Sequence, residues 1–274
     1  MKQPIFKGIC TALVTPFNKD LSIDFNSFAK LIEYQIESKV GALLFMGTTG
    51  EASTLTITEK KQIAEFAIKI VNKRVPIIIG VGGNNPAGII EFGKWLPRCI
   101  DGVLLSNPYY NKTTDAGLVK FFHDIANEIK LPVIAYNVPG RTGQNITPAV
   151  FAKTCENPWI VGIKEASGNM TQIMETMRQC PNVAVYSGDD ALTLPTMAVG
   201  GAGVISVAGN IKPDYLKYNS LELLPLFNSL FCEVNPIPVK YALSKMGLIK
   251  NYLRPPLLPL SKSKYNDIIK ACHL

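Results

Sequence analysis

The chain carries only two histidines, His123 and His273, and its six cysteines (Cys10, Cys99, Cys155, Cys180, Cys232 and Cys272) never form a C-x-x-C pair. Zinc sites need clustered thiolate and imidazole ligands, so no metal centre is expected, and the cysteines read as reduced core or surface residues. Long apolar runs are missing as well. The stretch 75–81 is among the longest and ends far short of a membrane span. The first eight residues lack the apolar segment and cleavage site of a secretory leader, and the expectation is a soluble, cytoplasmic protein. Acidic side chains are outnumbered, 21 against 28 basic ones, for a net charge of +7. No basic block or basic–aromatic stripe accompanies that excess, so nucleic acid is not an expected partner, although anionic substrates would gain some attraction. Low-complexity segments and short tandem repeats are absent too.

What is present is regular alternation. With 274 residues, 47% hydrophobic and 18% charged, the chain can build one large core. Runs rich in Val, Ile and Ala without period-two alternation fall at 8–14, 42–46, 76–81, 102–105, 133–136, 160–164, 183–186 and 203–207. Such runs are buried on both faces, as in a parallel sheet. Amphipathic stretches separate them, for example at 27–39, 58–72, 118–129, 148–154 and 170–179. Helix starts are expected at Thr58, Thr147 and Asp115. Eight β/α units in succession predict an α/β fold, a closed (β/α)8 TIM barrel over residues 1–212. A small C-terminal helical region, 213–274, follows, with helices expected at 213–231, 238–246 and 263–271.

One residue breaks the apolar pattern. Lys164 falls at the C-terminal end of the sixth predicted strand, within Trp-Ile-Val-Gly-Ile-Lys-Glu. Burying an unpaired ammonium is costly, and such a group usually sheds its proton. A neutral amine is a nucleophile whose natural target is a ketone carbonyl, giving a Schiff base. Snorkelling to water, or pairing with Glu165, is the plainer alternative for any single lysine.

Barrel enzymes gather their chemistry at the C-terminal ends of the strands. After the second strand comes Gly-Thr-Thr-Gly-Glu at 47–51, a turn whose N–H groups and hydroxyls can receive a carboxylate. After the fourth comes Ser-Asn-Pro-Tyr-Tyr-Asn at 106–111, and after the fifth Tyr-Asn-Val-Pro-Gly-Arg-Thr at 136–142. Tyr136 can relay protons there, and Arg141 can grip a carboxylate with two donors. The seventh strand ends in Ser-Gly-Asp-Asp and the eighth is Gly-Val-Ile-Ser-Val.

These motifs, with Gly-Ile-Lys-Glu-Ala at 162–166 and Asn-Pro-Ile-Pro-Val-Lys at 235–240, occur in the order found in one family. The chain resembles, end to end, the dihydrodipicolinate synthases of the N-acetylneuraminate lyase superfamily, which are Schiff-base (class I) aldolases. The resemblance implies condensation of pyruvate with aspartate 4-semialdehyde in lysine and diaminopimelate biosynthesis. It implies no cofactor beyond the covalent Schiff base, on Lys164. Tyr136 matches the tyrosine that moves protons during imine formation, and Thr48 the hydroxyl linking it to a second tyrosine, here Tyr110. In the family that second tyrosine comes from a neighbouring subunit, so a homo-oligomer is implied, at least a dimer and with tetramer expected. Thr49 matches a binder of the pyruvate carboxylate, Arg141 the residue that receives the second substrate, and Gly188 and Ile205 positions whose backbone orients substrates.

Several positions depart from the family. The segment 213–230 is shortened, and Ala52 stands where serine is common. Ile57, Gly88 and Lys60 occupy places where lysine-inhibited members carry polar or acidic groups, so feedback inhibition by lysine is expected to be weak. Sister lyases acting on N-acetylneuraminate or 2-keto-3-deoxygluconate share the lysine and the tyrosine. The paired threonines, Tyr110 and Arg141 favour the synthase reading. A non-catalytic keto-acid sensor would need a broken relay.

Overall fold

The computed structural model describes residues 2–273. Its eight strands are β1 (Gly8–Ala12), β2 (Ala42–Phe45), β3 (Ile77–Gly80), β4 (Gly102–Ser106), β5 (Val133–Asn137), β6 (Ile160–Glu165), β7 (Ala184–Ser187) and β8 (Gly203–Ser206). They pair in chain order and close into a barrel. The parallel registers set Tyr136 beside Lys164 and Lys164 beside Tyr186. Nearly every strand residue is buried, which explains the lack of alternation: one face fills the barrel and the other meets helices.

The helices are α1 (Phe25–Glu37), α2 (Ile57–Val71), α3 (Pro86–Trp95), α4 (Asp115–Ile129), α5 (Pro139–Thr142), α6 (Pro148–Thr154), α7 (Met170–Gln179), α8 (Thr193–Ala198), α9 (Ser220–Ser229), α10 (Ile237–Lys245) and α11 (Tyr265–Cys272). None among the described residues is long and apolar enough to cross a membrane. Thr147 caps α6 as expected, ahead of Pro148. Two other starts need correction. Helix α2 is capped by Thr56, which forms a reciprocal capping box with Glu59, and α4 is capped by Thr114, leaving Asp115 in the first turn beside the positive helix end. The single helix expected over 213–231 is also broken. A short 3-10 turn at Tyr215–Lys217 ends there, and Asn219 restarts the chain as α9 by accepting from the Leu221 N–H at 3.0 Å.

Packing divides the chain into two compact units. The first comprises residues 1–8 and 78–205. Its glycines matter where backbones meet: Gly203, at φ +149°, lies so close to Gly8 that a Cβ would collide with the Gly8 carbonyl oxygen. The second comprises residues 9–77 and 206–274, in which Phe28, Phe45 and Phe66 cluster under α1 and α2.

Candidate active site

In the first unit the polar residues of β5 and β6 segregate by face. Successive strand residues point to opposite sides, so Lys164 and Glu165 cannot share an environment. Lys164 is 6% exposed, and its Nζ lies 4.4 Å from the centre of the Tyr136 ring. Glu165 points the other way and is fully buried. Its oxygens accept from Asn137 Nδ2 at 3.0 and 3.1 Å, from the Ser167 N–H at 2.8 Å and from Gln172 Nε2 at 3.0 Å. Asn145 completes the cluster by accepting from Asn137 at 2.8 Å and donating to Gln172 at 2.8 Å. The alternative in which Lys164 pairs with Glu165 is therefore excluded. Among the described residues no carboxylate forms an ion pair with Lys164.

Beyond β7, the Gly188 N–H donates to the Glu165 carbonyl at 2.7 Å. A Cβ at Gly188 would collide with Ala166, so this position requires glycine. Its neighbour Asp189 went unassigned in the sequence. Burial pushes that carboxyl above its ordinary value, the Lys164 charge opposes the shift, and Oδ2 is buried without a hydrogen-bond partner. Ile205 is fully buried in β8. Arg141 is exposed on the short α5, two residues past its N-terminal proline.

Tyr110 is placed quite differently. It has a left-handed backbone, φ +69°, and its side chain is 93% exposed. The loop itself is held. Asn84 donates to the Tyr109 carbonyl at 2.9 Å and accepts from the Tyr109 N–H at 3.0 Å, and the Tyr110 N–H reaches the Thr142 carbonyl at 3.3 Å. A fixed loop thus presents an uncovered phenol, and Tyr110 does not join the Lys164–Tyr136 pair within this chain.

In the second unit the turn after β2 folds on itself. The N–H groups of Gly50 and Glu51 donate to the Gly47 and Thr48 carbonyls at 3.1 and 3.0 Å. Two of the turn's own N–H groups are thus taken up within it. Thr48 is exposed; Thr49 is 3% exposed, and its Oγ1 accepts from Asn235 Nδ2 at 3.0 Å. An amide donating to that oxygen occupies an acceptor site and leaves the hydroxyl proton to be given elsewhere.

Behind the turn sits a buried ion pair. Glu51, in a left-handed conformation, accepts from Lys240 Nζ at 2.5 Å and from the Arg254 N–H at 3.0 Å. Lys240 is fully buried on α10, 4.3 Å from the centre of the Phe17 ring. Burial lowers its ammonium to about 8, against the pull of Glu51. Arg254 also grips Glu59 at 2.5 and 2.9 Å. Sequence reasoning recognised the 235–240 motif but gave Asn235 and Lys240 no task. The available signal was the same one that marked Lys164, a lysine inside an apolar run, Ile-Pro-Val-Lys-Tyr-Ala-Leu.

A family model described as the Dihydrodipicolinate synthetase family matches residues 5–218 and 217–273. The 4-hydroxy-tetrahydrodipicolinate synthase of Clostridium tetani is 44% identical over 286 residues, covering 97% of this chain and 96% of its own. The solved chloride-inhibited dihydrodipicolinate synthase of Acinetobacter baumannii, complexed with pyruvate, is 39% identical with a TM-score of 0.93. It covers 98% of this chain and 99% of that one. A monomeric dihydrodipicolinate synthase variant is 36% identical with a TM-score of 0.92, covering 98% and 96% respectively.

Proposed function

The chain belongs to the dihydrodipicolinate synthetase family, and we infer from that membership that it condenses pyruvate with aspartate 4-semialdehyde to 4-hydroxy-tetrahydrodipicolinate. The observation that carries the reading on this chain's own residues is Lys164: buried, outside any ion pair among the described residues, with a tyrosine ring against its nitrogen.

The chemistry follows from those groups. Nζ of Lys164 adds to the pyruvate ketone, and loss of water leaves an imine. The departing oxygen must be protonated, and Tyr136, whose ring lies against Nζ, is read as the acid. Removal of a methyl proton then gives an enamine, whose carbon attacks the aldehyde of the second substrate. The amine of that substrate finally displaces Nζ, which closes the ring and frees the lysine. No separate cofactor enters these steps.

Thr49 is read as the holder of the pyruvate carboxylate. The Asn235 bond to its Oγ1, which leaves the hydroxyl proton to be given elsewhere, supports that role. Thr48 is read as the hydroxyl of the proton relay. Arg141 offers a planar, two-pronged grip for the carboxylate of aspartate 4-semialdehyde. Because the Gly188 N–H is already spent on Glu165, any substrate contact there falls to its carbonyl, and Ile205 contributes backbone only. Tyr110 is read as completing a site in a second copy of the chain, since a 93% exposed tyrosine on a clamped loop is poised for a partner. The assembly would then be at least a dimer, with two-fold symmetry exchanging the two tyrosines. The split into a catalytic barrel, 1–212, and a helical region, 213–274, belongs to the same reading.

The test is a steady-state assay with each candidate substrate set. Turnover that requires both pyruvate and aspartate 4-semialdehyde is expected. Release of pyruvate from N-acetylneuraminate or 2-keto-3-deoxygluconate, without condensation, would overturn the assignment.

A further inference from the structure

The loop that presents Tyr110 is held without burial. Eight consecutive residues, 109–116, are all exposed, so no buried apolar side chain anchors it there. A loop lacking such an anchor is ordinarily loose, and the order of this one rests on polar contacts. One clasp is the pair of bonds from Asn84 to the Tyr109 backbone. The other is Gln144, whose side-chain amide grips the backbone of Thr113 in the same paired manner. Its Oε1 accepts from the Thr113 N–H at 3.1 Å, and its Nε2 donates to the Thr113 carbonyl at 2.6 Å. Tyr110 is slung between the two clasps.

Gln144 is fixed from its own side as well. It lies three residues past Arg141, just beyond α5. Its carbonyl accepts from Asn107 Nδ2 at 3.0 Å, and the same amide reaches Thr142 Oγ1 at 3.2 Å. Asn107 and Thr142 are both buried. Between Thr142 and Gln144, Gly143 closes α5 at φ +74°, and a Cβ there would come within 3.2 Å of Lys112 Cε. With the Tyr110 N–H bonded to the Thr142 carbonyl, the segment carrying Arg141 and the loop carrying Tyr110 are tied at residues 107, 110 and 113. The tie at Thr113 is made by a half-buried side chain, so it can be removed without opening the core.

We propose that Gln144 is a positioning residue for the condensation, holding Arg141 and Tyr110 as one rigid unit. The proposal rests on the reading above, in which Arg141 receives the second substrate and Tyr110 completes the site of a second copy. Gln144 touches no substrate in this role and acts through the two groups that it joins. Without the clasp, the phenol drifts from the partner's relay and the guanidinium from the substrate carboxylate. A displacement of about 1 Å at such groups can slow turnover about a hundredfold. A neutral amide suits the task because it offers a donor and an acceptor together to the backbone of one residue. A carboxylate could accept from the Thr113 N–H but would repel the Thr113 carbonyl.

The experiment uses Gln144→Met in the full-length protein, which keeps the length of the side chain and removes both bonds to Thr113. Its kcat is expected to fall about ten- to a hundredfold. The KM for aspartate 4-semialdehyde should rise several-fold, while the KM for pyruvate and the melting temperature stay near those of the parent. In a Tyr110→Phe background, adding Gln144→Met should lower kcat little further, because the phenol that it positions is already gone. Hydrogen–deuterium exchange over residues 107–117, read by mass spectrometry, follows the clasp without any substrate, and faster exchange in Gln144→Met is expected. An unchanged kcat would overturn the proposal, as would multiplicative losses in the double variant, unchanged exchange, or an equal rise in both KM values with a lowered melting temperature. If the parent itself fails to condense the two substrates, the functional reading falls and the catalytic role of Gln144 with it, while the exchange result still decides whether Gln144 holds the loop.

Discussion

Among the described residues two lysines are buried, both against aromatic rings, and their surroundings are opposite in kind. Lys240 is fully enclosed 4.3 Å from the centre of the Phe17 ring and is bound at 2.5 Å to the Glu51 carboxylate. Lys164 lies 4.4 Å from the centre of the Tyr136 ring, and the carboxylate next to it in sequence is taken up by others. Two side-chain amides and one backbone N–H satisfy Glu165, on the face of β6 away from the lysine. Glu51, by contrast, is neutralised by a formal charge. Burial alone therefore does not make a lysine available for chemistry. What matters is where its natural counter-ion finds its hydrogen bonds. A carboxylate held by neutral amides leaves the amine uncommitted, whereas one held by ammonium fixes a loop.

Replacing each lysine in turn should break the comparison cleanly. Lys164→Ala is expected to abolish condensation altogether while the melting temperature stays near that of the parent, because no ion pair is lost. A collapse in stability would mean that Lys164 is structural. Tyr136→Phe keeps the ring under Nζ but removes the proton, and turnover should fall by about two to four orders of magnitude. A near-normal rate would show that water supplies the proton.

Lys240→Met should do the reverse. It leaves Glu51 buried and unpaired, with an expected loss of about 3–5 kcal/mol of stability in denaturant titration. The double variant Lys240→Met, Glu51→Gln should regain a large part of that loss, since no lone charge remains. A double variant as unstable as the single one would show that packing, not charge, holds the turn. Asn235→Ala removes one neutral hydrogen bond, worth about 1 kcal/mol, so the KM for pyruvate should rise several-fold with kcat changed less. An unchanged KM would separate Asn235 from substrate binding.

The smallest effect is in acid. Arg254 holds the Glu59 carboxyl at about 2, below its ordinary 4.5. The folded value is depressed, so the contribution is complete above about pH 4.5 and is lost as pH falls towards 2. The pair is partly solvated, which limits its worth to about 1 kcal/mol. Glu59→Gln should flatten the stability profile in that window alone, as read by thermal melts between those limits.

The barrel was legible because its signal is local. Eight apolar runs without alternation can only be strands covered on both faces, and each observed strand lies within two residues of its expected span. Lys164 and Tyr136 were legible by residue type at the ends of such runs. Helix starts were less so: Thr58 and Asp115 look like caps, but the geometry chose Thr56 and Thr114, each three residues before the N–H it accepts. The bonds that fix the Gly47–Glu51 turn could not be read at all. Lys240 is 189 residues from Glu51, and Asn235 is 186 from Thr49, so only closure of the chain brings these partners together. The sparing of Lys164 by Glu165 was equally hidden, since it depends on Asn137 and Gln172 arriving from neighbouring elements.

The most direct test of the contrast between the two lysines is chemical. The native protein is incubated with pyruvate, reduced with borohydride and digested for peptide mass analysis. The account predicts a single pyruvate-derived adduct, on Lys164, with Lys240 untouched. An adduct on Lys240 or on any other lysine, or none at all, would contradict it.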